Sequence, residues 1–323
     1  MKRLTFAIVA AALIWAGWWF FASQRLTTQT ENWFEDRQAE GWQAQYGDLT
    51  LGGFPNRLDM TFTDLNLADP DSGLAWQAPF FQVFQIVYNN GHQIFAWPDA
   101  QQISTPTGQY DISSEGLRAS LVRDGALIQR ANLEAPVLNV KGPSRTIALA
   151  GLTAGLSEVP EASNTYRIAL NANAVAGPSS AYVPTPDQID GLKLQAEVSF
   201  DKALATSALE TTRPQPTRID LRLAEYSIEG LELKLAGVLD IDPRGQATGE
   251  LTVRAVNWRE MLALAGQSQS LPEGLISTLE QAFGLLSQLA GNGRTIDITV
   301  RFERGQMSVG LIPLGPAPSF RIP

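Results

Sequence analysis

The sequence predicts a mainly β protein made of elongated antiparallel sheets, forming a sandwich or an open groove. An N-terminal transmembrane helix, a stalk helix and a C-terminal helix pair complete it. Three observations predict this. The nineteen residues from Leu4 to Ala22 carry no charge. Most of the chain beyond residue 42 alternates apolar and polar residues with a period of two. Helical periodicity returns in two stretches late in the chain. Of 323 residues, 44% are hydrophobic and 18% charged, so there is enough apolar material for a core.

The first element, residues 1–25, reads as an anchor. Nineteen helical residues measure roughly 28 Å, about one hydrocarbon core. A cleaved signal peptide ends in small residues, whereas this stretch ends Trp18-Trp19-Phe20-Phe21-Ala22, and a cut after Ala22 would leave Phe20 three residues before it. The aromatic cluster fits an interfacial belt. Lys2 and Arg3 precede the stretch and Arg25 follows it, which directs the N-terminus to the cytoplasm. The expected location is the bacterial inner membrane, single-pass, with the bulk of the chain in the periplasm. With those three residues set aside, 24 basic residues become 21 against 33 acidic. An acidic body repels nucleic acid and anionic headgroups.

Residues 26–42 are mostly polar good helix formers ending near Gly41, and read as a stalk helix continuing the anchor. A first β-rich portion spans 43–177, where Leu58, Met60 and Phe62 alternate with Asp59, Thr61 and Thr63. A Pro-rich linker or loop occupies 178–186. The second β-rich portion, 187–323, holds alternating sets such as Leu192, Leu194, Ala196, Val198; Ile219, Leu221, Leu223; Leu231, Leu233, Leu235; and Ile296, Ile298, Val300, Phe302. Turn signals such as Asp242-Pro243-Arg244-Gly245 punctuate them. Helices are expected at 257–266, capped by Asn257 with Glu260 at the third position, and at 272–290, opened by Pro272.

The chemistry-bearing residues are few. There is no cysteine, so thiol nucleophiles, disulfides and thiolate metal sites are excluded, and one histidine, His92, is too few for a His-rich metal centre. His92 follows Asn89-Asn90-Gly91 in what reads as a hairpin turn. Ser199 and Lys202 have Ser-x-x-Lys spacing, but on a strand residues three apart face opposite ways. Asp240 to Gly245 resembles the start of a calcium loop, yet Arg244 and Leu251 occupy ligand positions, so it reads as a hairpin. Asp64, Asp69 and Asp71 read as solvated residues at a strand end and turn. Gly52-Gly53-Phe54-Pro55 lacks the Gly-Lys-Ser/Thr of a phosphate loop and reads as a bend between strands with Phe54 buried. No catalytic, cofactor-binding or metal residue emerges, and no enzyme is expected.

The run Gly52-Gly53-Phe54-Pro55-Asn56-Arg57-Leu58, then Phe62-Thr63-Asp64-Leu65-Asn66-Leu67 and Trp76-Gln77-Ala78-Pro79, resembles a domain family of unknown function found in alphaproteobacterial envelope proteins. Leu235 to Asp240, Thr248 to Leu251 and Asn257 to Leu262 are similar to the strand-strand-helix pattern of AsmA-like proteins. That second resemblance implies an inner-membrane anchor and a periplasmic β-groove shielding acyl chains, although bridging members are much longer. The expected function is therefore non-catalytic lipid binding or shielding in envelope biogenesis. Its candidate wall is Leu58, Met60, Phe62, Leu231, Leu233, Leu235, Ile298 and Val300. The alternatives are a scaffold with a closed core that binds another envelope protein, and an envelope hydrolase. Expected partners are the membrane, a lipid and an envelope protein; no cofactor is expected.

Overall fold

A computed structural model describes residues 2–143, 146–176, 191–206, 213–228, 230–267, 273–289 and 293–322. The 178–186 linker expectation lies outside them. Nineteen strands and three helices are described, and the strands pair antiparallel, as the alternation predicts. The chain divides into two compact units. One comprises Met1–Arg123 and Asn132–Ala148; the other comprises Asp124–Ala131, Leu149–Ala176 and Ala181–Pro323. The excursion at Asp124–Ala131 is invisible in sequence because its partners are distant: Ile128 N–H donates to Leu204 O and Thr206 N–H to Ala126 O.

The first unit is led by α1 (Lys2–Ala39), a single helix through both the apolar stretch and the stalk. It ends where Gly41 takes a positive φ, with Gly41 N–H bonded to Gln38 O and Trp42 N–H to Arg37 O. That arrangement satisfies carbonyls the last turn would otherwise leave bare. Then come β1 (Gln43–Gln45), β2 (Leu49–Gly52), β3 (Arg57–Asp69), β4 (Leu74–Ile86), β5 (Asn89–Ala96), β6 (Ala100–Thr105), β7 (Gly108–Glu115), β8 (Arg118–Asp124) and β9 (Leu127–Lys141). The stalk does not stand away from this sheet. Leu26, Thr30 and Phe34 recur every four residues on one helix face, and that face lies on β3. Thr30 Oγ1 meets Met60 Sδ at 3.5 Å, the Phe34 ring meets Tyr46 and Phe62 at 4.7 and 5.8 Å, and Gln38 Nε2 donates to Ala44 O.

Three readings of this region are corrected. His92 is not in a turn but on β5, opposite Val122 of β8; the turn is earlier, at Val87-Tyr88. Phe54 at the β2–β3 turn is exposed rather than buried. Asp64 lies within β3, with a φ of 49°. It falls between the pairs Thr63–Phe80 and Leu65–Ala78, opposite Pro79, which has no N–H to give. There the alternation slips phase, from Leu58, Met60 and Phe62 to Leu65. Asp69 and Asp71 do form the turn; the Ser72 hydroxyl holds the Asp69 carboxyl below the usual carboxylate range, and the Asp71 and Ser72 amides add to this.

The second unit holds β10 (Thr146–Glu158), β11 (Thr165–Ala172), β12 (Ala174–Ala176), β13 (Gly191–Phe200), β14 (Pro216–Ile228), β15 (Leu231–Ile241), β16 (Ala247–Val256), α2 (Trp258–Gln267), α3 (Glu273–Leu289), β17 (Thr295–Glu303), β18 (Gln306–Val309) and β19 (Ile312–Pro316). Asn257 does not cap α2 through its side chain. With φ at 55° its Nδ2 donates to Gly230 O, while its Oδ1 accepts from Arg294 Nε. The Asp242 to Gly245 hairpin turn is as expected: Asp242 Oδ1 accepts from the Arg244 and Gln246 amides. Those bonds, Gln246's first, hold the Asp242 carboxyl below its ordinary range. In β14, Arg222 and Leu223 together oppose Ala236, a bulge that moves Leu223 off the apolar face and puts Ala224 and Tyr226 on it.

Candidate functional site

Cross-strand register converts the alternation of the second unit into rows on one face. Tyr166, Val198, Ile219, Leu239, Gly249 and Phe302 are successive partners across β11, β13, β14, β15, β16 and β17. Next to them run Ile168, Ala196, Leu221, Gly237, Leu251 and Val300, then Leu170, Leu194, Ala224, Leu235, Val253 and Ile298. A fourth row is Ala172, Leu192, Tyr226, Leu233, Ala255 and Ile296. β10 adds Leu156 opposite Ile168 and Ala154 opposite Leu170. The opposite face is polar and laced by exposed cross-strand ion pairs: Arg167 and Arg222 with Glu197, Arg218 with Asp240, Lys234 with Glu225, and Arg301 with Glu250. Each contributes about 0.2–1 kcal/mol at most, but together they fix which face is which. Four rows at two residues per row extend about 20 Å along the strands.

One end of this face is lidded. Trp258 and Leu262 of α2 and Ala282 and Phe283 of α3 share a buried core with Leu239, Leu251, Ala255, Ile296, Ile298 and Val300. The Trp258 and Phe283 rings meet edge to face at 5.6 Å. Among the described residues that core takes partners as far as Ile219 and Leu221 of β14 and none from β10, β11 or β13. Beyond the lid, Leu156, Ile168, Leu170, Leu192 and Leu194 are half-buried. Leu152, Tyr166, Ala172, Ala196 and Val198 are buried, and burial raises the Tyr166 phenol, whose oxygen accepts Leu204 N–H.

The eight expected wall residues fall into two groups. Leu58, Met60 and Phe62 are in the first unit and buried, Met60 and Phe62 in the core shared with Phe34 of α1. Leu231, Ile298 and Val300 are buried in the second unit, with Leu233 and Leu235 half-buried beside them. Ile168, Leu170, Leu192 and Leu194, which the described helical core does not take in, are not among the wall residues expected from sequence. Their alternation was readable; what was not readable is where the helices stop covering the sheet.

The first unit also has a cleft of about 730 Å³, lined by apolar residues such as Leu65, Ala78, Pro79 and Ile112 as well as polar ones. It opens where the Asp64–Pro79 break divides the ladders, β4 pairing with β5 on one side and β6 on the other. Its lining includes Asp64, Asn66, Gln77, Gln102, Asp111, Asn139 and Lys141. Gln102 Nε2 donates to Asp111 Oδ1, and Trp76 Nε1 to Gln101 Oε1. His92 lines a smaller hollow of about 250 Å³ with Arg57, Phe84 and Ile94. Among the described residues no group of three His, Asp or Glu side chains is placed to hold a metal.

Among the described residues one helix, α1, is long and apolar enough to cross a membrane. Compared with known families, residues 19–318 match one described as an uncharacterized protein conserved in bacteria (DUF2125). No curated protein and no solved structure matches.

Proposed function

The chain belongs to this conserved bacterial family, DUF2125, and from that membership and the geometry we propose that it is a membrane-anchored, non-catalytic envelope protein that holds lipid acyl chains. The half-buried part of the second unit's apolar face, beyond the described helical core, is where they would lie. The carrying observation is the mismatch between sheet and lid: the apolar rows continue through β13, β11 and β10 past the last strand that the helical core engages. The rows' extent of about 20 Å along the strands is commensurate with one hydrocarbon leaflet, about 15 Å.

The reading places the body in the periplasm and α1 in the inner membrane as an uncleaved anchor. Two hydrogen bonds support retention of the anchor. Trp15 Nε1 donates to Pro55 O and Trp19 Nε1 to Arg57 O, so a cut after Ala22 would remove both donors from the β2–β3 turn.

The test is photo-crosslinking of the full chain with a phospholipid carrying a photoactivatable group near the end of its acyl chain. Labelling is expected in the peptides containing Ile168–Leu170 and Leu192–Leu194, and should fall severalfold in Leu194→Glu while labelling of α1 persists. Labelling confined to α1 would remove the acyl-chain site and leave only the anchor.

A further inference from the structure

The apolar stretch of α1 is not free along its length. Ile8, Leu13 and Ile14 project into open space, but from Trp15 onward the helix is docked on the first unit. Besides the two indole hydrogen bonds, at 2.9 and 2.7 Å, Trp19 meets the Phe54 ring edge to face at 5.5 Å, Phe20 stacks on Phe54 at 6.3 Å, and Trp15 approaches Tyr88 at 6.5 Å. Trp19 is only 5% exposed. The β2–β3 turn and the β4–β5 turn therefore sit beside the last two turns of the apolar stretch, not beyond its end.

Helix length sets how deep these turns must sit. The free part, Leu4 to Ile14, measures roughly 16 Å as a helix, about half of a 30 Å hydrocarbon core. Crossing requires the residues up to about Ala22, and Pro55 lies level with Trp15, roughly 10 Å short of that point. From this we infer that the two turns enter the bilayer with the helix, so that Phe54 and Tyr88 are membrane-contacting tips at the boundary of the leaflet on the body side. This inference rests on α1 being a retained span.

Two further observations favour a bilayer as the occupant. The tips are aromatic and outward: Phe54 is 56% and Tyr88 68% exposed, next to Trp18, Phe20 and Phe21, which are also exposed. Such rings suit the interfacial zone; the nearby Arg57 guanidinium is paired with the Asp59 carboxylate. Four carbonyls of the turn are also satisfied within the protein. Gly53 O accepts Arg57 N–H, Asn56 O accepts Val87 N–H, and the carbonyls of Pro55 and Arg57 take the two indoles. Irregular backbone survives at membrane depth only when its polar groups are satisfied within the protein.

The chain has no cysteine, so single thiols can be introduced without background. Full-length Ile8→Cys, Phe54→Cys, Tyr88→Cys and Ser72→Cys would be labelled with an environment-sensitive fluorophore. They would then be reconstituted in phosphatidylcholine vesicles with or without nitroxide-labelled lipid. Ser72 lies in the β3–β4 turn, about 40 Å along the hairpin from the tips, and serves as the aqueous control. The expected result is severalfold stronger nitroxide quenching at Ile8, Phe54 and Tyr88 than at Ser72, with the reverse order for aqueous iodide. Tyr88 carries the test if the Phe54 variant does not fold. Protection at Ile8 with Phe54 and Tyr88 behaving like Ser72 overturns the inserted turns and leaves the anchor standing. Exposure at Ile8 overturns both.

Discussion

Two tryptophans show how the same side chain is used differently. Trp19 and Trp258 are both buried, at 5% and 3% exposure, so truncating either to Phe removes similar volume. Trp19 donates its indole N–H to Arg57 O, whereas the Trp258 indole nitrogen is buried with no hydrogen-bond partner and stacks under the Arg259 guanidinium, 4.1 Å from the ring centroid. Removing the donor of a part-buried hydrogen bond costs about 0.5–1.5 kcal/mol, and more where the acceptor is cut off from water, while losing an unmet donor costs nothing. Trp19→Phe should therefore cost more than Trp258→Phe by about 0.5–1.5 kcal/mol. Hydrogen exchange on the flanking amides, β3 for one and β17 for the other, would measure each; equal costs would remove the Arg57 bond from the account. The sequence displayed both tryptophans but not this asymmetry, because a partner some forty residues away cannot be read from local pattern.

At the level of elements, period two located most strands and failed where the backbone departs from a regular pleat. The bulge at Arg222–Leu223 and the Asp64–Pro79 break each shift the apolar phase by one residue, and nothing in side-chain hydrophobicity marks them. Glycine is the clearer signal. Gly249 in β16 has φ at 145°, and a Cβ there would lie 2.2 Å from Val238 O of the neighbouring strand. Gly237 mirrors it, with φ at 150° and a Cβ 2.2 Å from Glu250 O. These two let β15 and β16 approach closely beneath the helical lid. Gly249→Ala should destabilise the second unit by more than about 1 kcal/mol through strained φ and backbone overlap. Gly293→Ala, where a Cβ meets nothing within 4 Å, should be close to neutral. Denaturant midpoints of the two variants at unchanged slope would check the contrast. The helix pair was legible in outline from its apolar stripe, yet its reach over the sheet, which leaves β10 to β13 outside the helical core, depends on packing that periodicity does not encode.

For the whole molecule, the proposed orientation has a direct readout: alkaline phosphatase, active only where its disulfides form, should be active when fused after Ile322. An inactive fusion with intact expression would place the body on the other side. Composition and the N-terminal stretch made the long apolar helix and the β class legible, but not the assignment of Asp124–Ala131 to the second unit, because it belongs with strands made much later. That has a consequence in time. Ala126 O waits for the amide of Thr206, 80 residues downstream. At roughly 5–20 residues per second of synthesis, the segment spends about 4–16 s without its partner. The first unit can form while the growing chain still holds this loose stitch, and a ribosomal pause between Ala131 and Thr206 would lengthen the interval in which a neighbouring chain could take its place.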